Sequence, residues 1–478
     1  MRILLIYPYI GRSSVLWMPL GLAFIAAELR RHGHTVAIFD RHAQQAKGDY
    51  AIEPVNEAML ACIHMFQPDL IGLSTLTSMI YDTVDCVALI GVHYRGILIA
   101  GGYHGTALPE LTLRKMPGLD GVITGEGELV LRRIANGESP LDIPGVWWRH
   151  GDRIHGPRAP SEQIENLDVL DFPAVDLMDM AFYSQRTNGV IRGHNLCAAT
   201  LVTSRGCYRR CRFCAESVTY GHGVRFHSAA YTLEWIARLM KDDAVEGIHF
   251  HDNDFLADER RTQDICEGFM RTGLHRRIKW SIQARAEHIN PGTVKRLKSA
   301  GCCLVEIGVE AGTQRELDGI KKDATVEMNT LAVRLCRKAG LDVHAYMLMG
   351  LEDEGIPDLE QRLAWVKHAR PTSFQWNQVM MFPGTALYRD KGNDFFTRSE
   401  WTETAINEYY STGNLSCIPA ETRRSWMATH FAPYARRHWW MDALTRYPLR
   451  TMAALIFLKL RGRIKRKMLL MLQNKKVK

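Results

Sequence analysis

The chain has 478 residues and a formal net charge of +8. Residues 451–478 hold nine basic residues and no acidic ones, and taking these nine from +8 leaves a net charge of −1 on residues 1–450. A body this close to neutral disfavours a protein that coats nucleic acid. The 46% content of hydrophobic residues disfavours an unfolded chain. The length instead indicates several domains, each able to bury a core.

Targeting signals and cysteine usage point to the cytoplasm. No apolar run reaches about 18 residues, so we expect no membrane-spanning helix. The N-terminal stretch MRILLIYPYI has one basic residue and no cleavage site of small residues, so we expect no signal peptide. Eleven cysteines in such a chain are expected to be reduced thiols. Metal or cluster ligation is then the role to look for among them.

The first 150 residues alternate short β-branched runs with helical patterns. This alternation predicts right-handed βαβ units and a Rossmann-like, flavodoxin-like parallel sheet with helices on both faces. Ligands of such sheets bind outside the carboxyl ends of the strands. We predict strands at 3–7, 35–39, 70–74, 97–100 and 121–124, and helices at 20–32, 55–66, 81–94 and 108–115.

Small residues cluster at three of these carboxyl ends. Glycine there lets a flat or phosphate-bearing ligand approach the backbone closely. Each group alone is more often part of an ordinary loop, but three such groups at one sheet edge favour a ligand site. The residues are Ser74, Leu76, Gly101, Gly102, Gly125 and Glu126.

Two of these groups, Ser74-Thr75-Leu76 and Gly101-Gly102, resemble the cobalamin-binding domain of B12-dependent enzymes. The resemblance implies that they line the nucleotide tail of cobalamin. Residues 8–17 contain no Asp or His, so the Asp-x-His-x-x-Gly motif that supplies a cobalt-ligating histidine is missing. Asp40-Arg41-His42 follows the second strand without the glycine, and we interpret it as chance. Cobalamin would thus be held without a protein histidine on cobalt.

Cys207, Cys211 and Cys214 have the spacing C-x3-C-x2-C directly after a predicted strand at 200–204. A disulfide pair is disfavoured in a reducing compartment. A structural zinc site needs a fourth ligand, from His222 or His227, and its ligands are usually two spaced pairs. Three thiolates around a [4Fe–4S] cluster leave one iron open for reaction, and this interpretation accounts best for the triad.

This spacing, with Phe213 before the last cysteine, resembles the signature of the radical S-adenosylmethionine (SAM) superfamily. The resemblance implies that the three cysteines hold the cluster and that the open iron binds the amino and carboxylate groups of SAM. Phe213 would pack near the adenine. An external one-electron reductant of the flavodoxin or ferredoxin type would then drive cleavage of SAM to a 5′-deoxyadenosyl radical.

The sequence after the triad continues the strand and helix alternation. Together with the strand at 200–204 it makes six βα units. The superfamily's partial (β/α)6 TIM barrel is implied over residues 196–395, with chemistry at the carboxyl ends of the strands. We predict the further strands at 247–251, 279–284, 304–310, 343–349 and 374–379.

Polar residues, Glu306 among them, cluster at the ends of the barrel strands. The resemblance implies that the second strand end and Gly308-Val309-Glu310 contact the amino group and ribose of SAM. Capping of a helix by Asp252 and Asn253, and a structural ion pair at Arg285, remain open alternatives. We interpret His249 and His251 as a packed, hydrogen-bonded pair. The cofactor-binding candidates here are Asp252, Asn253, Gln283, Arg285 and Glu310.

Residues 151–195 are predicted to be a linker able to lay the first sheet over the barrel mouth. Residues 396–478 are predicted to be helical, with aromatic residues that include Trp439 and Trp440. Ile456, Leu460, Ile464 and Met468 recur at every fourth position among cations, which favours peripheral contact with an anionic membrane. A solvated extension and RNA binding are the alternatives.

The combination resembles the B12-binding radical SAM group over roughly residues 1–395. That resemblance implies methylation of an unactivated carbon in a small or lipid-like substrate, with one SAM methylating cobalamin and a second forming the radical. Cyclisation, rearrangement or oxidation without methyl transfer is the alternative, and a non-catalytic zinc protein is a remote one. Residues 1–150 contain Cys62 and Cys86 as their only cysteines, which disfavours a methylthiotransferase with a second three-cysteine cluster.

Overall fold

The computed structural model describes residues 1–9, 17–48, 51–242, 245–412, 415–435 and 438. The basic tail at 451–478 lies outside the described residues, as do Trp439 and Trp440. No helix in the described part of the chain is long and apolar enough to cross a membrane.

The first sheet has seven strands in the order β2-β1-β3-β4-β5-β6-β7. Strands β1 to β5 are parallel and have the flavodoxin-like order, in which chain direction across the sheet reverses between β1 and β3. The predicted parallel sheet is confirmed. The strands are β1 Arg2–Tyr7, β2 Thr35–Asp40, β3 Leu70–Ser74, β4 Ile97–Gly101, β5 Gly121–Ile123, β6 Val146–His150 and β7 Arg153–His155.

Strands β6 and β7 form an antiparallel hairpin that the sequence analysis missed. The hairpin extends the first sheet to His155. Its two-residue turn is Gly151-Asp152, and Gly151 has φ +58°, which a tight hairpin turn requires. A glycine-aspartate pair between β-rich runs is therefore the signal that would have identified it.

Helices cover both faces of the first sheet, because successive side chains of its strands point to opposite faces. Leu4 and Ile6 belong to the core on one face, whereas Ile3 and Leu5 belong to the core on the other. The helices of this region are α1 Leu20–Arg31, α2 Arg41–Lys47, α3 Glu53–Phe66, α4 Ile80–His93, α5 Tyr103–Ala107, α6 Pro109–Lys115 and α7 Glu128–Ala135.

The second sheet is parallel, and the predicted partial barrel is confirmed. Its order is β8-β11-β12-β13-β14-β15, and β8 does not pair with β15, so the barrel is open. Two short antiparallel strands, β9 Ser204–Arg205 and β10 Arg225–Phe226, lie beside the mouth of the barrel. The barrel strands are β8 Ala198–Leu201, β11 Gly247–Phe250, β12 Lys279–Ala284, β13 Cys302–Glu310, β14 Asp342–Met349 and β15 Ser373–Gln378.

Helices alternate with the barrel strands and continue after β15. Phe396, Trp401 and Ile406 pack into the core of the first sheet, so the segment after the barrel returns to the N-terminal region. The helices are α8 Met180–Tyr183, α9 Glu216–Tyr220, α10 Ala229–Asp242, α11 Glu259–Arg271, α12 Leu274–Arg277, α13 Pro291–Ser299, α14 Gln314–Gly319, α15 Val326–Lys338, α16 Ile356–Ala369, α17 Ala386–Asp390, α18 Phe395–Arg398, α19 Glu403–Thr412 and α20 Ala420–Trp426.

Buried ion pairs join the carboxyl edge of the first sheet to the barrel mouth. Glu126 binds Arg225 at 2.6 Å, and Glu128 binds Arg205 at 2.6 Å. Glu126 also accepts a hydrogen bond of 2.8 Å from the backbone N–H of Ile164 in the connecting segment. The strand ends of the two sheets therefore face each other across one interface.

Candidate functional site

The three cysteines lie on one loop after β9. Gly206 opens the loop with φ +86°, and a Cβ there would lie 2.3 Å from the carbonyl oxygen of Gly223, so this position requires glycine. The N–H of Cys214 donates to the carbonyl of Cys211 at 3.1 Å and closes a turn. The loop borders a cavity of about 210 Å³, the cysteine cavity, lined by Cys207, Cys211, Phe213, Cys214, Asn253, Gln283, Ala284, Arg285, Glu306, Gly308, Glu310, Lys322 and Tyr346.

The guanidinium of Arg285 lies beside the thiols. Nη1 of Arg285 lies 3.9 Å from Sγ of Cys211, while its Nε donates to Glu287 at 2.5 Å. Burial raises the pKa of the Cys214 thiol to about 12. A bound metal deprotonates a ligating thiol, and the nearby guanidinium complements the charge of the resulting thiolates. The loop can therefore present thiolate ligands once a metal centre is bound.

The cysteine cavity brings together most of the residues singled out in the barrel. Phe213, Asn253, Gln283, Arg285 and Glu310 all line it. They come from the cysteine loop and from the ends of three strands, which meet at one end of the barrel.

Asp252 does not belong to this group, although the sequence analysis placed it there. Its carboxylate is fully buried and accepts hydrogen bonds from the backbone N–H groups of Thr203 (2.5 Å) and Ser204 (2.8 Å). The Thr203 hydroxyl donates to it at 2.6 Å. Asp252 thus anchors the segment that leads into the cysteine loop and has its acceptors occupied.

Lys322 and Tyr346 line the cysteine cavity but were missed from sequence. Nζ of Lys322 lies 2.8 Å from Oε1 of Glu310. The Tyr346 hydroxyl donates to Oε2 of Glu306 at 2.5 Å and accepts from Nη2 of Arg192 at 3.0 Å. Burial raises the pKa of Glu306. Lys322 follows a short helix in an irregular turn, and no local pattern marks such a position.

The side chains do not support a structural zinc site. Within the described ranges, no group of three or more His, Cys, Asp or Glu side chains is placed to hold a metal ion. His227 is buried, lies 3.3 Å from Asp168 and stacks on Tyr231. Cysteines that bind different irons of one cluster do not need to meet at one point, so this spacing is compatible with a cluster.

A second, larger cavity of about 530 Å³, the sheet cavity, lies at the carboxyl edge of the first sheet. It sits where strand order reverses, as expected of ligand sites in open parallel sheets. All six residues singled out at this edge line it: Ser74, Leu76, Gly101, Gly102, Gly125 and Glu126.

Glycine at position 102 is a geometric requirement of the sheet cavity. Gly102 has φ +106°, and a Cβ there would lie 2.9 Å from the carbonyl oxygen of Thr75. The Thr75 hydroxyl donates to the carbonyl of Gly101 at 2.9 Å and accepts from the N–H of Gly105 at 3.0 Å. The two loops that line the cavity therefore hold each other in place.

Glu126 lines the sheet cavity, but its carboxylate is engaged elsewhere. It binds Arg225, lies 3.3 Å from Arg205 and accepts the Ile164 N–H. Burial would raise the pKa of Glu126, but the hydrogen bonds and charges of Arg225 and Arg205 outweigh it, and the pKa falls below its usual value. Glu126 is thus an anion that binds the first sheet to the barrel region through its ion pairs.

Residues of the barrel region complete the sheet cavity on the side facing the first sheet. Arg205, Glu216, Tyr220 and His251 line it together with Val202. The sequence analysis missed these contributions, because they come from strand ends and a short helix, α9, that lie outside the first sheet. The sheet cavity is thus closed by both halves of the protein.

Two family models match the chain. The B12 binding domain matches residues 8–135, which include the predicted edge residues, and the Radical SAM superfamily matches residues 201–366, which include the cysteine triad. The chain is a radical SAM protein with a B12-binding domain.

This radical SAM protein has relatives over most of its length. It is 29% identical over 375 residues to an uncharacterized methyltransferase of Pyrococcus horikoshii, covering 77% of each chain. It is 25% identical over 406 residues to the anaerobic magnesium-protoporphyrin IX monomethyl ester cyclase of Cereibacter sphaeroides, covering 82% of this chain and 63% of that protein. The solved structure of the radical SAM methyltransferase TsrM from Kitasatospora setae matches its fold with a TM-score of 0.66 at 16% identity, covering 81% and 73% of the two chains.

The cofactors of this radical SAM enzyme are a [4Fe–4S] cluster, SAM and cobalamin. The donor set of the cysteine cavity fits the first two: three thiols for iron, and the carboxylate and amide groups of Glu310, Gln283 and Asn253 for the donors of SAM. Gly101 and Gly102 line the sheet cavity without side chains, which fits a large ligand approaching the backbone there.

The histidines near the sheet cavity differ in which region of the enzyme contributes them. His42 is fully buried, stacks on Tyr9 with ring centroids 5.6 Å apart and does not line the cavity. His251 does line it, but from the barrel side. Among the described residues, therefore, no histidine is presented to the cavity by the first sheet itself.

Replacing Gly102 with alanine is expected to weaken cobalamin binding at least tenfold and to destabilise the fold by about 1 to 2 kcal/mol. The added Cβ displaces the Thr75 loop, and the positive φ strains the backbone. Absorbance titration with hydroxocobalamin measures the affinity.

Gly137→Ala is the matched control, because Gly137 has φ +88° but open space around its Cα. It should carry the same backbone strain without losing affinity. Equal losses of affinity in both variants would contradict a role for the 75–102 contact in shaping the cavity.

Proposed function

We propose that this enzyme methylates an unactivated carbon of a small or lipid-like substrate in a cobalamin-dependent radical SAM reaction. The observation that carries the proposal is the arrangement of the two cavities, since residues of one barrel mouth line both the cysteine cavity and the sheet cavity. Residues 1–150 would form the cobalamin domain, 151–195 the linker, 196–395 the barrel and 396–478 the helical extension.

Named residues have defined roles in this proposal. Cys207, Cys211 and Cys214 bind the cluster, and Phe213 packs against the adenine. When bound, the cluster and SAM supply a radical that removes hydrogen from carbon, and cobalamin supplies the methyl group. SAM is oriented by Asn253, Gln283 and Glu310. The positive charges of Arg285 and Lys322 balance the negative charges in the cysteine cavity.

The sheet cavity shields cobalamin in this proposal. Ser74, Leu76, Gly101, Gly102 and Gly125 would line the nucleotide tail, and the apolar walls exclude water from it. Glu126 acts through its ion pairs by holding the barrel region against the first sheet. The fixed Arg192–Tyr346–Glu306 chain faces the cysteine cavity, where the substrate would lie.

The experiment uses reconstituted protein, a chemical or flavodoxin-type reductant, and a metabolite extract of cells lacking the gene, with SAM labelled in its methyl group. Methylation is expected to yield a product carrying the labelled methyl, with S-adenosylhomocysteine and 5′-deoxyadenosine in comparable amounts. Mass spectrometry measures all three. Formation of 5′-deoxyadenosine without S-adenosylhomocysteine and without a labelled product would contradict methyl transfer.

That contrary outcome would support a second candidate, cyclisation, rearrangement or oxidation without methyl transfer. The match to the Cereibacter sphaeroides cyclase over 82% of this chain favours keeping it. Peripheral membrane contact through residues 451–478 stays a hypothesis on sequence alone.

A further inference from the structure

Two pairs of neighbouring side chains connect the walls of the two cavities. His251 lines the sheet cavity and Gln283 lines the cysteine cavity, and Nε2 of Gln283 lies 2.9 Å from Nδ1 of His251. Glu216 lines the sheet cavity, and the amide of Asn253, which lines the cysteine cavity, partly offsets the rise that burial causes in the pKa of Glu216. Each pair therefore has one member in each cavity.

Strand register produces the first of these pairs. His249 and Ser281 are register partners in β11 and β12, and their side chains lie 2.8 Å apart, Nδ1 to Oγ. Two residues further along each strand, His251 and Gln283 come opposite each other with side chains on the same face. Trp17 packs against His251 with ring centroids 4.5 Å apart and restricts the imidazole. The pair is thus placed by regular backbone pairing.

The His251 imidazole has one nitrogen engaged and one free to face the sheet cavity. Nδ1 contacts Gln283 and lies 3.4 Å from Nε2 of His249. Nε2 of His251 has no hydrogen-bond partner among the described residues. In neutral imidazole one nitrogen donates and the other accepts, so the partner of Nδ1 decides which character Nε2 presents.

The Gln283 amide can likewise present either a donor or an acceptor to its partner, because its nitrogen donates and its oxygen accepts. A ligand in the cysteine cavity that donates hydrogen bonds will hold the amide oxygen and so keep the NH2 group on His251, where the structure places it. Nδ1 then accepts, and Nε2 presents an N–H to the sheet cavity. An occupant of one cavity thereby orders a side chain that forms the wall of the other.

We propose that the His251–Gln283 contact couples the two cofactor sites, so that SAM and cobalamin bind with positive cooperativity. The inference rests on the assignment of the cavities under the proposed function. The first ligand fixes the amide and the imidazole, and the second ligand meets a wall already ordered, so it loses less conformational entropy on binding. His251 and Gln283 are positioning residues in this scheme.

The test uses the full-length, cluster-reconstituted protein without reductant, so that SAM stays intact. Hydroxocobalamin affinity is measured by absorbance titration with and without saturating SAM. We expect SAM to tighten hydroxocobalamin binding at least about fivefold, and hydroxocobalamin to tighten SAM binding by the same factor, because coupling is reciprocal. His251→Phe should reduce this factor to near one while SAM still binds the variant to saturation.

Gln283→Leu should also abolish the coupling. Gln375→Leu is the matched control and should retain the full factor, since Gln375 is exposed on β15, a barrel strand that does not pair with β12. Independent binding in the natural protein, or a factor that survives His251→Phe, would overturn the proposal and leave the proposed function standing. Failure of hydroxocobalamin or SAM to bind the natural protein would overturn both.

Discussion

Replacing Cys211 with alanine is expected to remove the iron–sulfur cluster and to reduce 5′-deoxyadenosine formation to background. Cys211 lines the cysteine cavity with the other two cysteines and is the thiol beside Arg285. Three thiolates are needed to hold a [4Fe–4S] cluster with one open iron, so losing one leaves two irons without protein ligands. Iron and sulfide analysis after anaerobic reconstitution, with product quantified by chromatography, measures both effects.

Cys417→Ala is the control for this variant. Cys417 is exposed and lines neither of the two cavities. It should keep about four irons per chain and full deoxyadenosine formation. Retention of the full iron content by the Cys211 variant, or stoichiometric zinc in place of iron in the natural protein, would refute the cluster assignment.

Replacing Arg205 with methionine is expected to destabilise the protein by about 3 to 5 kcal/mol, because it leaves the buried Glu128 carboxylate without its cation. Arg205 is 6% exposed and binds Glu128 at 2.6 Å across the interface between the first sheet and the barrel region. It also lines the sheet cavity, so hydroxocobalamin affinity should fall with stability. Urea unfolding followed by tryptophan fluorescence measures the loss.

Arg114→Met provides the comparison, because its ion pair with Glu110 is exposed, at 65% and 48% of the two side chains. Exposed pairs of this kind contribute at most about 1 kcal/mol. Adding Glu128→Gln to Arg205→Met should recover part of the loss, since one unpaired charge is then removed. Equal destabilisation by Arg114→Met and Arg205→Met would contradict a role for Arg205 in holding the first sheet against the barrel region.

The order and type of the strands could be read from the sequence with good accuracy. Predicted strands at 70–74 and 279–284 coincide with β3 and β12, because a short apolar or β-branched run is a local property of the chain. The hairpin β6–β7 departs from the strand–helix alternation that predicts the other strands of the first sheet, and its signal is the Gly151-Asp152 turn. The description of the tail at 451–478 remains a prediction.

The candidate site was predictable where its chemistry lies within a few consecutive residues. The cysteine spacing pointed to one cavity, and the edge residues Ser74 to Gly102 pointed to the other. Asp252 was misplaced because a carboxylate at a strand end can turn toward the cavity or toward backbone N–H groups, and only the position of the Thr203 segment decides between them.

The sequence by itself determined where the two cofactor sites lie along the chain, because three closely spaced thiols and a glycine-rich sheet edge are local features that need no knowledge of the fold. The classes of the cofactors came from the family resemblance that these motifs carry. The tertiary structure alone decided what lies between them. Lys322 reaches Glu310, and His251 reaches Gln283, only through strand pairing and through turns that join distant parts of the chain. Such contacts depend on packing free energy summed over the whole molecule, and no short stretch of sequence records them.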